Sequence, residues 1–169
     1  MFTSALKVGS GTVVFVLAGV TVGTGAGAAD GIGATAAHPG QYFHDNAMMG
    51  LNVIHEAHMQ RVGRVVVVGS VCAYPLNAQM PLNEDDLWNG APEPTNGPYG
   101  VAKRMLHTML DAYYRQYGME SAYILMANLY GPGDNFNPDT SHVTPALIRK
   151  CEEAKRDDTG LVVWGTGRP

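Results

Sequence analysis

Between Gln41 and Arg61 the residues Phe43, Ala47, Met48, Leu51, Ile54, Ala57 and His58 recur at spacings of three and four. That is the period of one face of an amphipathic helix, and it predicts a helix over 41–61. The run Val65-Val66-Val67-Val68 then stops at Gly69-Ser70. An unbroken β-branched apolar run predicts a parallel strand covered on both faces. The Pro- and Asn-rich stretch from Pro75 to Pro98 reads as a long loop, and Asn96 stands where a helix over 98–117 would take its N-cap. Gly118 supplies the C-terminal glycine of that helix. Ser121 to Ala127 predicts a further buried strand, Asn128 to Phe136 a loop of turn residues, Val143 to Lys155 a short helix, and Leu161 to Trp164 a last strand.

Upstream, the apolar run from Val13 to Val22 is followed by Ala26-Gly27-Ala28. With Lys7 before it, the run has the outline of a secretory leader. It is shorter than the roughly 20 apolar residues a spanning helix needs, and its β-branched content suits a buried strand followed by a glycine loop. Helix and strand therefore alternate from residue 41 onward, the pattern of βαβ units that build a parallel sheet. The fold class expected is α/β, a Rossmann-like doubly wound sheet.

Composition narrows the function. With 46% hydrophobic and 15% charged residues in 169, the chain is globular and not disordered. A formal net charge of −4 without a basic cluster argues against a nucleic-acid partner. The two cysteines, Cys72 and Cys151, have no zinc-ligand spacing, which leaves reduced thiols in a cytoplasmic protein and no metal. His38, His44, His55, His58 and His107 have no catalytic or metal context and read as packed or exposed helix residues.

Tyr99 and Lys103 stand four apart on a predicted helix, so both project from one face. A phenol is a poor proton donor or acceptor at neutral pH. A neighbouring ammonium favours the phenolate, so Lys103 is expected to lower the Tyr99 pKa. By itself the pair equally describes a surface tyrosine resting on a lysine stem. Context favours the chemistry, because Ser70 ends a buried strand, where open α/β sheets place their ligands.

The segments Ser70-Val-Cys-Ala-Tyr-Pro75, Glu93-Pro-Thr-Asn-Gly-Pro-Tyr-Gly-Val-Ala-Lys103, Asn128-Leu-Tyr-Gly-Pro-Gly-Asp-Asn-Phe136 and Ser141-His-Val-Thr-Pro-Ala-Leu147 stand in order. Together they resemble the extended short-chain dehydrogenase/reductases, and within them the GDP-L-fucose synthase family, over residues 31–169. The resemblance implies NADP(H) as cofactor, a GDP-sugar substrate, a cytoplasmic homodimer, and neither a nucleic-acid nor a membrane partner. It implies epimerisation at C3 and C5 of GDP-4-keto-6-deoxy-D-mannose, then reduction at C4. Tyr99 would protonate the C4 oxygen, Ser70 would hydrogen-bond it, and Lys103 would hold the nicotinamide ribose. Cys72 and His142 match the acid/base pair of epimerisation. Cofactor contacts fall on Ser70, Lys103, Met126, Asn128, Leu129 and His142, and substrate contacts on Asn128, Lys150 and Trp164. Without the resemblance Cys72 reads as a small buried residue, His142 as a helix cap, Asn128 as a loop residue, Lys150 as a surface lysine and Trp164 as core.

Ala26 to Gly33 approaches a dinucleotide phosphate loop, yet about 43 positions separate Gly27 from Ser70, too few for the three strands expected between them at roughly 30 residues per βαβ unit. Gly31 to Gly33 is therefore expected to be a loop lining the cofactor site, and the first βα units and most of the substrate domain are expected to be missing. On that reading residues 1–40 hold a strand and a glycine-rich segment of uncertain role. Residues 41–150 hold the C-terminal part of the cofactor domain with the catalytic centre, and 151–169 begin a truncated substrate domain. The alternatives are another NAD(P)-dependent nucleotide-sugar epimerase or dehydratase, and a non-catalytic remnant.

Overall fold

The computed structural model describes residues 13–16, 32–137 and 141–163. In chain order it has strand β1 (Val13–Val16), helices α1 (Ile32–Ala37) and α2 (Pro39–Met59), strand β2 (Arg64–Val68), helix α3 (Gly97–Tyr117), strand β3 (Glu120–Ile124) and helix α4 (Val143–Asp157). The strands form one parallel sheet in the order β1-β2-β3, with Val14 opposite Val65 and Val66 opposite Ala122. The valine run is thus the central strand, and the upstream apolar run pairs with it as a strand. Both crossovers step in the same direction along the sheet, and right-handed crossovers of one direction put their helices on one face. Accordingly α2 and α3 pack against each other and on the same side of the sheet.

Their shared core is Ile54, Ala57, Val65, Val67, Leu106, Leu110 and Met119, all buried. Val65 and Val67 alternate with Val66, so period-two geometry sends them together toward the helices. The helices approach closely where α2 carries Gly50, since a Cβ there would overlap the Leu106 side chain. On the other sheet face, Ile124 of β3 is 41% exposed.

The predicted boundaries hold to within a few residues and differ for identifiable reasons. Pro39, whose fixed φ suits the first helical position, starts α2 two residues before Gln41. Arg61, left-handed at φ 54°, turns the chain after Met59. Gly118 ends α3 at φ 68°, its N–H bonding the Tyr114 carbonyl at 2.9 Å. The third strand ends at Ile124 and not at Ala127, where its partner leaves regular strand geometry for a 3-10 turn at Val71–Ala73, and the residues of β3 are exposed or half-buried, not buried as expected. Residues 161–163 belong to no strand, and Trp164 lies outside the described residues. Of the loop expected from Gly31 to Gly33, Gly31 lies outside the described residues and Ile32 and Gly33 are helical instead, as befits a segment whose next residues include Ala34, Ala36 and Ala37. The long loop after β2 does form, with a 3-10 turn at Glu84–Trp88 inside it. No helix among the described residues is long and apolar enough to cross a membrane.

Candidate active site

The site is built where β2 ends. After Val68, Gly69 and Ser70 lead into the 3-10 turn, and the Ser70 Oγ caps it by accepting from the Cys72 N–H at 3.2 Å. The segment after β3 runs beside this turn. The Gly69 N–H donates to the Ile124 carbonyl at 2.8 Å and the Val71 N–H to the Met126 carbonyl at 3.2 Å. Met126 therefore flanks the turn with its backbone, and Asn128 and Leu129 follow it as exposed residues.

The first turn of α3 closes the site from the other side. A Cβ on Gly100 would overlap the carbonyl oxygen of Cys72, so the absence of a side chain next to Tyr99 lets the helix sit directly on the turn. Asn96 occupies the N-cap position without capping through its side chain. Its Oδ1 accepts from Thr35 Oγ at 2.6 Å, linking α1 to the start of α3, while the Glu93 carboxylate accepts from the Asn96 N–H at 3.1 Å.

Four predicted site residues are thereby brought together: Ser70, Cys72, Tyr99 and Lys103. Lys103 is 1% exposed. Its Nζ donates to the Val68 carbonyl at 3.4 Å and stands over the Tyr99 ring, 5.5 Å from the centroid. Burial lowers its pKa from 10.5 to about 8. The expected acidification of Tyr99 is not observed. Burial raises its pKa, the neighbouring Cys72 raises it further, and only a hydrogen bond with Ser70 works the other way. The ammonium lies over the ring, and loss of water around the phenol is the largest influence on its pKa.

Further candidates lie on α4 and just before it. His142 is the N-cap residue of α4 but makes no side-chain capping bond, so its role as a cap is not realised. α4 has no extensive packing against the Ser70–Lys103 cluster, and Arg149 ties it to the preceding loop through the Phe136 carbonyl at 2.9 Å. Lys150 donates to the Val162 carbonyl at 3.4 Å. Both cysteines are free, and no group of three or more metal-ligating side chains exists among the described residues. The other histidines pack or sit exposed as expected; His58 stacks on Tyr117 at 4.0 Å and His107 meets Tyr123 edge-on at 5.2 Å.

Tyr123 and Arg104 support the site without having been singled out from sequence. Tyr123 donates to the Lys103 carbonyl at 3.0 Å, and its ring fills the space beside Gly69. In the sequence it is only a polar-tipped residue in an apolar strand, a phenol that needs some partner when buried.

Residues 14–169 match the NAD dependent epimerase/dehydratase family. The chain belongs to that family. It is similar to a GDP-L-fucose synthase of Escherichia coli (strain K12), with 42% identity over 140 residues that make up 82% of this chain and 44% of that protein. Among solved structures it resembles a GDP-L-fucose synthetase from Naegleria fowleri bound to NADP, with TM-score 0.65 and 32% identity over 76% of this chain and 42% of that one. It also resembles a GDP-mannoheptose C4 reductase from Campylobacter jejuni with NADP bound, with TM-score 0.70 and 33% identity over 85% and 41% of the two chains. The chain thus spans less than half the length of these relatives, and the shared fold is the family's Rossmann-like α/β sheet.

Proposed function

We propose that this chain carries the acid–base centre of an NADP(H)-dependent 3,5-epimerase and 4-reductase acting on GDP-4-keto-6-deoxy-D-mannose. The observation that carries the reading is the convergence of Ser70, Cys72, Tyr99 and Lys103 at the C-terminal end of the central parallel strand. Residues 41–150 would form this chain's share of the cofactor domain, and 151–169 the beginning of the substrate domain.

The donor set fits a pyridine nucleotide beside a ketone: a hydroxyl, a phenol and a buried ammonium meet at the strand end where α/β sheets bind ligands. Lys103 and Ser70 would hold the nicotinamide ribose and the substrate carbonyl, with Met126, Asn128, Leu129 and His142 along the cofactor. When bound, the nucleotide supplies the hydride. Tyr99, whose raised pKa keeps it protonated at neutral pH, donates its proton to the C4 oxygen as the ketone becomes an alcohol. Ser70 hydrogen-bonds that oxygen and orients it. The Lys103 ammonium, beneath the ring, favours the tyrosinate that remains. In epimerisation Cys72 exchanges a proton at carbon from one side, and His142 serves from the other, with Asn128, Lys150 and Trp164 contacting the sugar nucleotide.

The resident ionisations agree with this division. A tyrosine held protonated is an acid in waiting, and a lysine near pH 8 can return a proton to it. The two free thiols agree with a cytoplasmic setting. Exposed Met48, Val101, Tyr114 and Tyr117 along α2 and α3 support a homodimer.

The test is incubation of the chain with the 4-keto sugar in D2O, first without and then with NADPH. Deuterium entering at C3 and C5, lost in Cys72→Ser, followed by NADPH oxidation that Tyr99→Phe abolishes, is the expected result. A second reading, reduction at C4 alone, is favoured by the lack of extensive packing between α4 and the elements that carry Ser70 and Lys103. Under it NADPH is consumed and no deuterium enters at C3 or C5.

A further inference from the structure

Arg104 follows Lys103 on α3 and is only 7% exposed. Its Nη1 donates to the Gly90 carbonyl at 2.8 Å, its Nε donates to the Ala73 carbonyl, and its guanidinium lies 5.7 Å from the centroid of the Trp88 ring. Among the described residues no carboxylate pairs with it, and its Nη2 is buried without a hydrogen-bond partner.

Stability does not explain such a residue. Burying an uncompensated cation costs several kcal/mol, which hydrogen bonds to two carbonyls only partly offset, and an apolar side chain of like volume would fill the same space without that penalty. The arrangement accomplishes something geometric. Ala73 is the last residue of the turn that carries Ser70 and Cys72. Gly90 lies on the limb that returns toward α3. The segment between them is a small folded unit with its own core of Ala73, Tyr74 and Leu87. Its two limbs are joined by the Leu76 N–H on the Ala91 carbonyl at 2.9 Å and by the bridge of Pro75 with Pro92. The planar fork of one guanidinium therefore sutures both limbs of this unit to α3, one residue beyond Lys103.

We propose that Arg104 is a positioning residue, whose fork holds the Cys72 turn and the 74–91 segment in register with Tyr99 and Lys103. The proposal rests on reading Ser70, Cys72, Tyr99 and Lys103 as the reacting groups. Lysine cannot replace the arginine, because a single ammonium on a flexible stem does not reproduce a planar fork that spans two carbonyls.

The test compares the full chain with its Arg104→Met and Arg104→Lys variants, all carrying Cys151→Ser so that Cys72 is the sole thiol. Hydrogen–deuterium exchange is read over residues 71–92 and over the α2–α3 core, together with the rate of Cys72 alkylation by iodoacetamide. Both variants are expected to speed exchange over 71–92 and alkylation of Cys72 by about tenfold or more, as the loss of charge-assisted bonds implies, with exchange in the α2–α3 core unchanged. Wild-type rates in both variants would overturn the proposal. A uniform rise across the chain in both would reduce Arg104 to a general contributor to stability and would overturn it too. If only the methionine variant fails to fold, the lysine variant decides by the same two readings. Neither readout needs turnover, so failure of the deuterium and NADPH assays would reject the proposed reaction while leaving the role of Arg104 to stand or fall on its own.

Discussion

The phenol of Tyr123 donates a 3.0 Å hydrogen bond to the main-chain carbonyl of Lys103. Its ring at the same time lies where a side chain on Gly69 would have to go. One residue of β3 thus fixes the depth of α3 and the end of β2. Tyr123→Phe keeps the ring and removes the bond, so chemical denaturation should show a loss of about 1 kcal/mol with an unchanged slope. A cost indistinguishable from zero would mean that water replaces the phenol at the carbonyl.

Gly100 offers a test in which two rules predict opposite signs. In a helix interior, glycine to alanine is ordinarily stabilising by roughly 0.5–1 kcal/mol. Here the new Cβ would meet the Cys72 carbonyl, which is backbone and cannot step aside without moving the turn. Gly100→Ala should therefore destabilise the chain by about 1–3 kcal/mol, the usual cost of overpacking. An increase in thermal midpoint would show that the turn and α3 are not in contact there.

Lys103 makes stability depend on pH in an unusual direction. Its pKa is about 8 in the folded chain against 10.5 when solvated, so between those values the unfolded chain binds the extra proton. Stability then rises with pH across that window, by an amount on the order of 3 kcal/mol if the whole shift is expressed. Burial raises the pKa of Tyr99, Tyr74 and Tyr123, and these three oppose the rise once pH passes about 10, since the folded chain keeps protons that the unfolded chain has lost. Unfolding measured at pH 7.5 and 9.5 should show the gain in the wild type and its loss in Lys103→Met. Equal gains in both would place the titration elsewhere.

The cap at Gly118 is tested by alanine. At φ 68° a Cβ is strained even though nothing crowds the position. Gly118→Ala should cost on the order of 1 kcal/mol through backbone conformation alone, read as a lower urea midpoint.

The helices α2 and α3, the central strand and the Ser70–Tyr99–Lys103 set are legible in the sequence because each rests on local signals. These are a 3.6-residue period, an unbroken valine run, Gly118 as a terminator, and a four-residue spacing on one helix face. What is not legible depends on distant partners. Asn96 looks like a cap, yet its side chain is taken by Thr35, sixty-one residues earlier. The pKa of Tyr99 cannot be read from its spacing to Lys103, since burial and the distant Cys72 and Ser70 decide it. Arg104 follows Lys103 in the sequence as any helix arginine would; only the carbonyls of Ala73 and Gly90 show what it holds. Cys72 and His142 stand in ordered motifs, but motif order carries no information on whether α4 comes near the turn.

The contact of Gly50 with Leu106 has a bearing on how this scaffold tolerates change. Two long helices are allowed to come together by a single missing carbon, and Tyr99 and Lys103 ride on one end of the pair. A bulkier residue at position 50 touches no reacting group, yet it would pry α3 from α2 and tilt the phenol and ammonium relative to the turn below them. In this architecture the alignment of the reacting groups is tied to helix spacing, and the residue that sets the spacing lies in neither loop that lines the site.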